Sequence, residues 1–455
     1  MPFLGVAADD LTGATTAGVL LARSGARATV FYDGQPQLGG EGERADVVLI
    51  STSSRSLSRE QAYFRVAEAT QALREAGARY FSKRIDTTLR GQIGAELDAM
   101  LDVLGDGAAA VVVPAMPQSR RILVGGYSVI DGVVLSQTPV AQDVLTPVRE
   151  AYVPDLLQGQ SRRRVGLVPL KSVLAGPEKT AAALRSQRAG GCEILVVDAV
   201  TLADIGTVAR ACAGLQWRIL SADPGPFTAQ LMRCRGLLEE ERPAPSQPAA
   251  TRGRAVLVAA GSATPVTREQ MEGLVKCKRA VRISIDPARL AFGGREAREE
   301  SLAAATKATA ALGGSELPEV VLLETALHGI RLQLDQVDQE RGYPRGRSAE
   351  LINKGLGGIV ARILGERSDR IAGLYCTGGD TEVQVCRALG SPCLEMVDYV
   401  FPQADLARLR GRYAGMPIVG KGGLTGGSEA ACVIVDRIFK EAGRMSQLSE
   451  SGEKR

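Results

Sequence analysis

Residues 6–18 read VAADDLTGATTAG. An apolar run beginning near Phe3 ends in Asp9-Asp10, and a stretch of small, helix-compatible residues follows from Ala14. A strand that gives way to paired acids and then to a helix is the unit of a layered α/β fold, whose ligands bind outside the carboxyl ends of the strands. Residues 82–91, SKRIDTTLRG, repeat this chemistry. They follow the apolar Tyr80-Phe81 and crowd Lys83, Arg84, Asp86, Thr87, Thr88 and Arg90 together. A buried charge without a partner costs several kcal/mol, so these groups face a ligand, one another or water. Fixed cations beside an aspartate suit an anionic, hydroxyl-bearing small molecule.

Outward from these two stretches, short apolar runs alternate with amphipathic segments along the whole chain, the pattern of α/β layers. In the first half, strands are expected at 3–8, 28–32, 47–51, 80–82, 109–113, 165–168, 194–197 and 218–220, with a helix at 147–153 among others. The strands are continuously apolar rather than alternating, which implies a sheet covered on both faces. The β-rich piece 122–135 differs, because Asp131-Gly132 marks a hairpin turn. Residues 239–254, EEERPAPSQPAATRGR, read as a linker. The α/β pattern resumes at 255–260, with later strands at 281–285, 320–323, 374–376 and 417–419.

The expected architecture is therefore α/β with two domains, each a mostly parallel sheet flanked by helices, and the active site in the cleft between them. The expected boundaries are 1–238, a linker 239–254, 255–445 and a disordered polar tail 446–455.

Composition excludes several classes. Aromatics make up 4% of the chain, too few for a platform that stacks bases, so no nucleic-acid partner is expected. The eight cysteines are scattered without a CxxC pair and His328 is the one histidine, which argues against a zinc site and against Ser-His-Asp or Cys-His catalysis. The start MPFLGVAADD has no signal-peptide pattern, and no apolar run is long enough to span a membrane. A reduced, cytoplasmic protein without a membrane partner is the expectation.

Three loops in the second half join a strand to a helix through glycine and polar residues: 260–267 (AGSATPVT), 374–381 (LYCTGGDT) and 420–427 (GKGGLTGG). Glycine lets the backbone approach phosphate, and a helix N-terminus offers free N–H groups. Asp380 or Thr381 could equally be a plain N-cap. The loop with Lys421 is not a P-loop, and no GxGxxG follows a strand, so a mononucleotide is favoured over a dinucleotide. In the first half, Asp9-Asp10, the STSSR of 51–55, the 83–90 segment and the PAMPQSRR of 114–121 could converge at strand ends. Arg55, Lys83 and Arg90 would supply cations for a carboxylate, and Asp10 and Asp86 would accept hydrogen bonds from hydroxyls. A phosphate-binding half and a polyol-acid-binding half suggest a kinase.

At these residues the chain resembles the four-carbon acid sugar kinase family. The similarity spans about residues 3–442 and is carried by ADDLTGATTAG (8–18), STSSR (51–55), KRIDTTLRGQIGAELDA (83–99), VVPAMPQSRRILVGG (112–126), LSQTPVAQDVLTPV (135–148), GSATPVTREQ (261–270), CTGGDT (376–381) and MPIVGKGGLTG (416–426). The resemblance implies ATP-dependent phosphorylation of threonate, erythronate, an oxo-tetronate or a related aldonic acid. It implies that Asp9, Asp10, Arg55, Lys83, Asp86 and Arg90 line the acid sugar. By the same carry-over, Ser262, Gly378, Gly379, Asp380, Thr381, Gly420, Lys421, Gly422 and Gly423 hold ATP. Asp10 or Asp86 is the expected catalytic base, and Asp380 the expected contact to Mg²⁺. At Gly422 and Leu424 the chain departs from the Lys-Ser-Gly-Gly-Phe-Gly loop more common in the family. The competing readings are an NAD(P)-dependent hydroxy-acid oxidoreductase and a non-catalytic sensor of acid sugar or nucleotide. The oligomeric state is open, with a homodimer as one expectation, since large two-domain sugar kinases are often dimers.

Overall fold

The computed structural model describes residues 1–32, 45–143, 146–241, 253–325, 327, 332–423 and 425–452. They form two compact units, Met1–Pro243 and Ala244–Arg455. Most of the expected linker lies outside the described residues, as do His328 and Leu424.

The first unit contains β1 (Leu4–Ala8), β2 (Ala28–Phe31), β3 (Val47–Ser51), β4 (Tyr80–Arg84), β5 (Ala108–Val112), β6 (Arg121–Val124), β7 (Tyr127–Ile130), β8 (Val133–Val134), β9 (Val165–Val168), β10 (Ile194–Val197) and β11 (Arg218–Asp223). Eight of them form a parallel sheet in the order β2-β3-β1-β4-β11-β5-β10-β9. Every residue of β1, β2, β3, β5 and β10 is buried, as continuous apolar strands between two helical layers must be. The remaining three strands make a small antiparallel sheet. Its β7–β8 turn holds Asp131 and Gly132 at φ of 51° and 81°, consecutive left-handed residues of the kind a tight hairpin needs.

One feature of this order positions the chemistry. β1 lies between β3 and β4, with Ala8 paired to Ser51 on one side and to Arg84 on the other. The chain crosses over β1 in passing from β3 to β4, so the three strand ends open at a topological switch point.

Two local differences from the sequence expectation matter. Strand β4 runs to Arg84 rather than stopping at residue 82. Parallel pairing with β1 and β11 carries it through the charged residues, so alternation sends Lys83 and Arg84 to opposite faces. The helix expected at 147–153 is found instead at Val153–Gln160, where Pro154 sits in the first turn, a position that suits its fixed φ.

The second unit contains β12 (Ala255–Ala260), β13 (Ala280–Ser284), β14 (Val320–Glu324), β15 (Ile371–Thr377), β16 (Leu394–Phe401), β17 (Ala404–Leu409) and β18 (Pro417–Lys421), in the order β13-β14-β12-β15-β18-β17-β16. Pairing is parallel from β13 to β18 and antiparallel across β17 and β16. The antiparallel pair is an addition to the sequence reading. Its outer strand β16 alternates between buried and half-buried residues, so it lacks a continuous apolar run. Val258, Leu322, Tyr375, Leu406, Ile434 and Ile438 belong to the core of this unit.

The last helix, Ala430–Gly452, runs through most of the tail expected to be disordered. No Pro or Gly interrupts residues 445–451, and helix-favouring Gln, Leu and Glu continue it. Residues 453–455 lie outside the described chain. Nor are all cysteines free, as expected for a reduced protein: Cys277 and Cys432 form a disulfide. The partners are 155 residues apart in sequence and meet only because the helices Pro265–Cys277 and Ala430–Gly452 bring them together, so no spacing rule reveals them. Among the described residues no helix is long and apolar enough to cross a membrane.

Candidate active site

In the first unit the site is built around Arg55. Asp10 caps the helix Leu11–Arg23, accepting the Gly13 N–H at 2.8 Å. Asp9 beside it faces inward. Arg55 grips Asp9 with two bonds, Nε to Oδ2 at 2.6 Å and Nη2 to Oδ1 at 3.1 Å. Its Nη1 lies 2.7 Å from Asp10 Oδ2, and Nη2 lies 3.7 Å from Asp86 Oδ1. Arg90 grips Asp86 in turn, with Nε at 2.8 Å and Nη2 at 3.2 Å, and its Nη1 lies 3.7 Å from Asp143 Oδ2. Arg84 places Nη1 3.5 Å from both Asp9 Oδ1 and Asp10 Oδ1. That guanidinium rests over Gly13, where a Cβ would fall 2.1 Å from Nη1. Ser53 and Leu89, close before Arg55 and Arg90, hold left-handed φ of 50° and 59°. Strained backbone of this kind persists where surrounding structure over-determines it, and it clusters at functional sites.

The three aspartates are electrostatically unequal. Burial opposes the charge of Asp9 and Asp86. It is outweighed at Asp9 by Arg55, Lys83 and Arg84, and at Asp86 by Arg55 and Arg90, so both stay below the usual carboxylate range. Asp10 goes the other way. Burial and the neighbouring Asp9 and Asp86 charges raise it against the pull of Arg55 and Arg84. It is also the accessible one, with its side chain 28% exposed against 2% for Asp9 and 6% for Asp86. Acids whose environments push their pKa values apart mark out different roles.

The structure brings together Asp9, Asp10, Arg55, Asp86 and Arg90, with Lys83 near enough to lower the Asp9 pKa but paired with Glu96. The Lys83 ammonium is fully buried and lies 3.1 Å from Glu96 Oε2, with a bond to the Arg84 carbonyl at 2.9 Å. Ser54 donates to the other Glu96 oxygen and is linked to Thr52 at 2.8 Å. Arg84 is a further cation at the cluster, which the sequence reading did not assign to the site. The alternation of β4, extended by two residues, was the signal.

In the second unit the ends of β12, β15 and β18 lie flush, with Ala260 paired to Thr377 and Thr377 to Lys421. Ser262 donates its N–H to Thr377 Oγ1 at 3.3 Å. Gly378, at φ 96°, donates to the Lys421 carbonyl at 2.9 Å, and the helix Gly379–Ala388 starts directly after it. Asp380 is exposed in the first turn, and Thr381 turns back to Asn353 Oδ1 at 2.8 Å. Gly261 admits that contact, since a Cβ there would fall 2.2 Å from Thr381 Oγ1. Gly423 packs on Ser262, with a Cβ position 2.7 Å from the hydroxyl. A cavity of about 830 Å³ opens beside these loops, lined by Gly261, Ala263, Pro287, Gln333, Ile352 and Asn353 among others.

Lys421 does not point outward. Its Nζ donates to the carbonyls of Gly422 at 2.7 Å and Thr425 at 3.1 Å, and burial pushes its pKa down to about 8. Gly420 backs onto Glu382, whose Oε2 lies 2.0 Å from where a Cβ would be. Burial, with help from Asp405, pushes Glu382 up to about 8. Sequence reasoning missed Glu382, Asn353 and the cavity residues outside the 260–267 loop, such as Pro287, Gln333 and Ile352.

Models of a sugar-binding N-terminal domain and a nucleotide-binding C-terminal domain match residues 4–231 and 257–431. The chain is 39% identical to the D-erythronate kinase of Heliobacterium modesticaldum, over 95% of its own length and 96% of that protein's. It is 30% identical to the 3-oxo-tetronate kinase of Cupriavidus necator over 88% and 89%. To the D-threonate kinase of Salmonella typhimurium it is 29% identical over 94% and 96%. Among solved structures, a Haemophilus influenzae protein of the DUF1537 family shares the fold with a TM-score of 0.71, at 22% identity over 97% and 99% of the two chains. A sugar-binding half followed by a nucleotide-binding half defines an ATP-using phosphotransferase with a hydroxyl acceptor. The chain belongs to the four-carbon acid sugar kinase family.

Proposed function

We propose that this protein transfers the γ-phosphoryl group of MgATP to a hydroxyl of D-erythronate. The choice of acid sugar is supported by the higher identity to the D-erythronate kinase than to the two other kinases. The observation that carries the mechanism is the standing of Asp10: raised in pKa and solvent-accessible beside two aspartates locked in arginine pairs.

Asp10 is the general base. It takes the proton of the attacking hydroxyl as the new O–P bond forms and the bond from Pγ to the β-phosphate oxygen breaks, leaving MgADP. Asp9 and Asp86 stay ionised and fix the guanidiniums of Arg55, Arg84 and Arg90. Arg90 Nη1, uncommitted to Asp86 and 3.7 Å from Asp143 Oδ2, turns to the acid-sugar carboxylate. Arg84 offers charge to the transferring phosphoryl group. On the nucleotide side, the amides of Gly379, Gly426 and Gly427 receive phosphates, and the cavity receives the nucleoside. Mg²⁺ enters as part of MgATP, and exposed Asp380 is a carboxylate for it at the start of its helix.

The test is ADP release with D-erythronate, D-threonate and 3-oxo-tetronate as acceptors, with the product identified by phosphorus NMR. Turnover on D-erythronate above the other two is expected. A folded protein that binds ADP but phosphorylates none of them would falsify the acceptor half of the proposal.

A further inference from the structure

Gln270 belongs to the GSATPVTREQ motif, has no assigned role, and is fully buried on the helix Pro265–Cys277. Its Nε2 lies 2.9 Å from the carbonyl oxygen of Thr425, 3.1 Å from that of Gly426 and 3.0 Å from that of Gly427. Three consecutive carbonyls thus converge on one carboxamide nitrogen. The reverse rotamer would set a carbonyl oxygen against three others, so the acceptors fix which way the amide faces.

Other side chains act in the same sense. Thr264 and Thr267 donate to the Gly423 carbonyl at 2.8 Å and 3.2 Å. Lys421 holds the carbonyls of Gly422 and Thr425. In a trans peptide the C=O and the following N–H point in opposite directions. Carbonyls drawn inward at 425, 426 and 427 therefore turn the N–H groups of Gly426, Gly427 and Ser428 the other way. Among the described residues none of these three N–H groups meets a protein acceptor. Successive amides left free in this manner make an anion-binding concavity.

We propose that Gln270 is a positioning residue for the nucleotide: by gathering the carbonyls of Thr425, Gly426 and Gly427 it presents the opposite amides of the loop to the ATP phosphates. The inference rests on the kinase reading above. It separates two jobs that the sequence suggests are one. The loop touches phosphate, while Gln270, behind it, determines that the loop shows donors rather than acceptors.

The experiment uses the full chain, with ADP affinity measured by calorimetry and KM measured separately for ATP and acid sugar. Gln270→Met keeps the volume and removes the donor. It is expected to weaken ADP and raise the ATP KM at least about tenfold, with the acid-sugar KM unchanged, because only the loop loses its orientation. A purely structural role would lower the active fraction and leave both KM values alone. Gln270→Glu supplies a second readout that does not depend on the Met variant folding. Its carboxyl donates only when protonated, so its ADP affinity should recover relative to the parent between about pH 7 and about pH 5.5, the parent correcting for protonation of ADP itself. ADP affinity unchanged in Gln270→Met, or no recovery in Gln270→Glu, overturns the positioning role while leaving the kinase reading intact. A parent that binds no nucleotide overturns both.

Discussion

Lys83 Nζ lies 3.1 Å from Glu96 Oε2, and neither side chain has any exposure to solvent. A cation that reads from sequence as a substrate ligand is thus half of an internal ion pair joining β4 to the helix Ile93–Leu104. Removing one partner of such a pair strands the other charge and typically costs about 3–5 kcal/mol. Lys83→Met should lower stability to urea by that order. The double variant Lys83→Met with Glu96→Leu should recover much of the loss and keep the acid-sugar KM within roughly threefold of the parent. A large KM increase in the double variant, with the fold intact, would return Lys83 to the substrate site.

Asp10→Asn leaves an N-cap acceptor in place and removes the base. A drop in kcat of roughly 10²–10⁴-fold is expected, with little change in ADP affinity. The parent's kcat/KM should rise with pH as Asp10 loses its proton, because the base works only when ionised. Its raised pKa places that rise above the usual aspartate range. If Asp86→Asn proves the more damaging to kcat while leaving the acid-sugar KM alone, the base is misassigned.

Gly13 owes its identity to Arg84. A methyl group at that position would sit 2.1 Å from Nη1 and 2.5 Å from Cζ. Gly13→Ala should therefore displace the guanidinium and press on the Asp10 carboxylate, whose Oδ1 would lie 2.7 Å away, while alanine itself suits a helix. The expected result is an unchanged melting temperature with turnover reduced roughly 10–100-fold, the scale of a misplaced charge at the reacting centre. Full activity in this variant would count against the placing of both Arg84 and Asp10 in the mechanism.

Two buried groups beside the 420–427 loop are pushed toward the same pKa from opposite sides. Glu382, pushed up to about 8, and Lys421, pushed down to about 8, each lose a proton as pH climbs through that value. One becomes negative and the other neutral, so both changes disfavour an anionic ligand. ADP affinity should fall by roughly tenfold between about pH 7 and about pH 9, and Glu382→Gln should flatten part of the slope. For folding, the two act in different windows. Raised Glu382 costs stability as pH rises from its unfolded value to about 8, and depressed Lys421 recovers stability between about 8 and its own unfolded value. An ADP affinity that is flat across this range contradicts the arrangement.

How far the sequence could be read depended on what kind of atom carries each role. Continuous apolar strands announced the parallel sheets, and adjacent Asp9-Asp10, Arg55, Asp86 and Arg90 announced an ionic cluster. Alternation within β4 is where side-chain reading fell short: a strand two residues longer than expected sets Arg84 on the aspartates and pairs Lys83 with Glu96. Strand β16, half-buried and alternating, escaped a search for unbroken apolar runs. Lys421 was legible as a cation among glycines, but its inward direction depends on where neighbouring carbonyls lie, and composition says nothing of that. Gln270 and Glu382 act across distances of more than a hundred and nearly forty residues, to Thr425 and Gly420, so no local pattern could reveal them.

The carbonyl-in, amide-out loop has a consequence for how such an enzyme can diverge. A phosphate seat made of main chain is indifferent to most of the side chains strung along it. What must be kept is the small set of hidden donors that holds the ribbon right side out. Selection on the nucleotide half would then fall on the buried interior, and its ligand-facing rim would be free to drift.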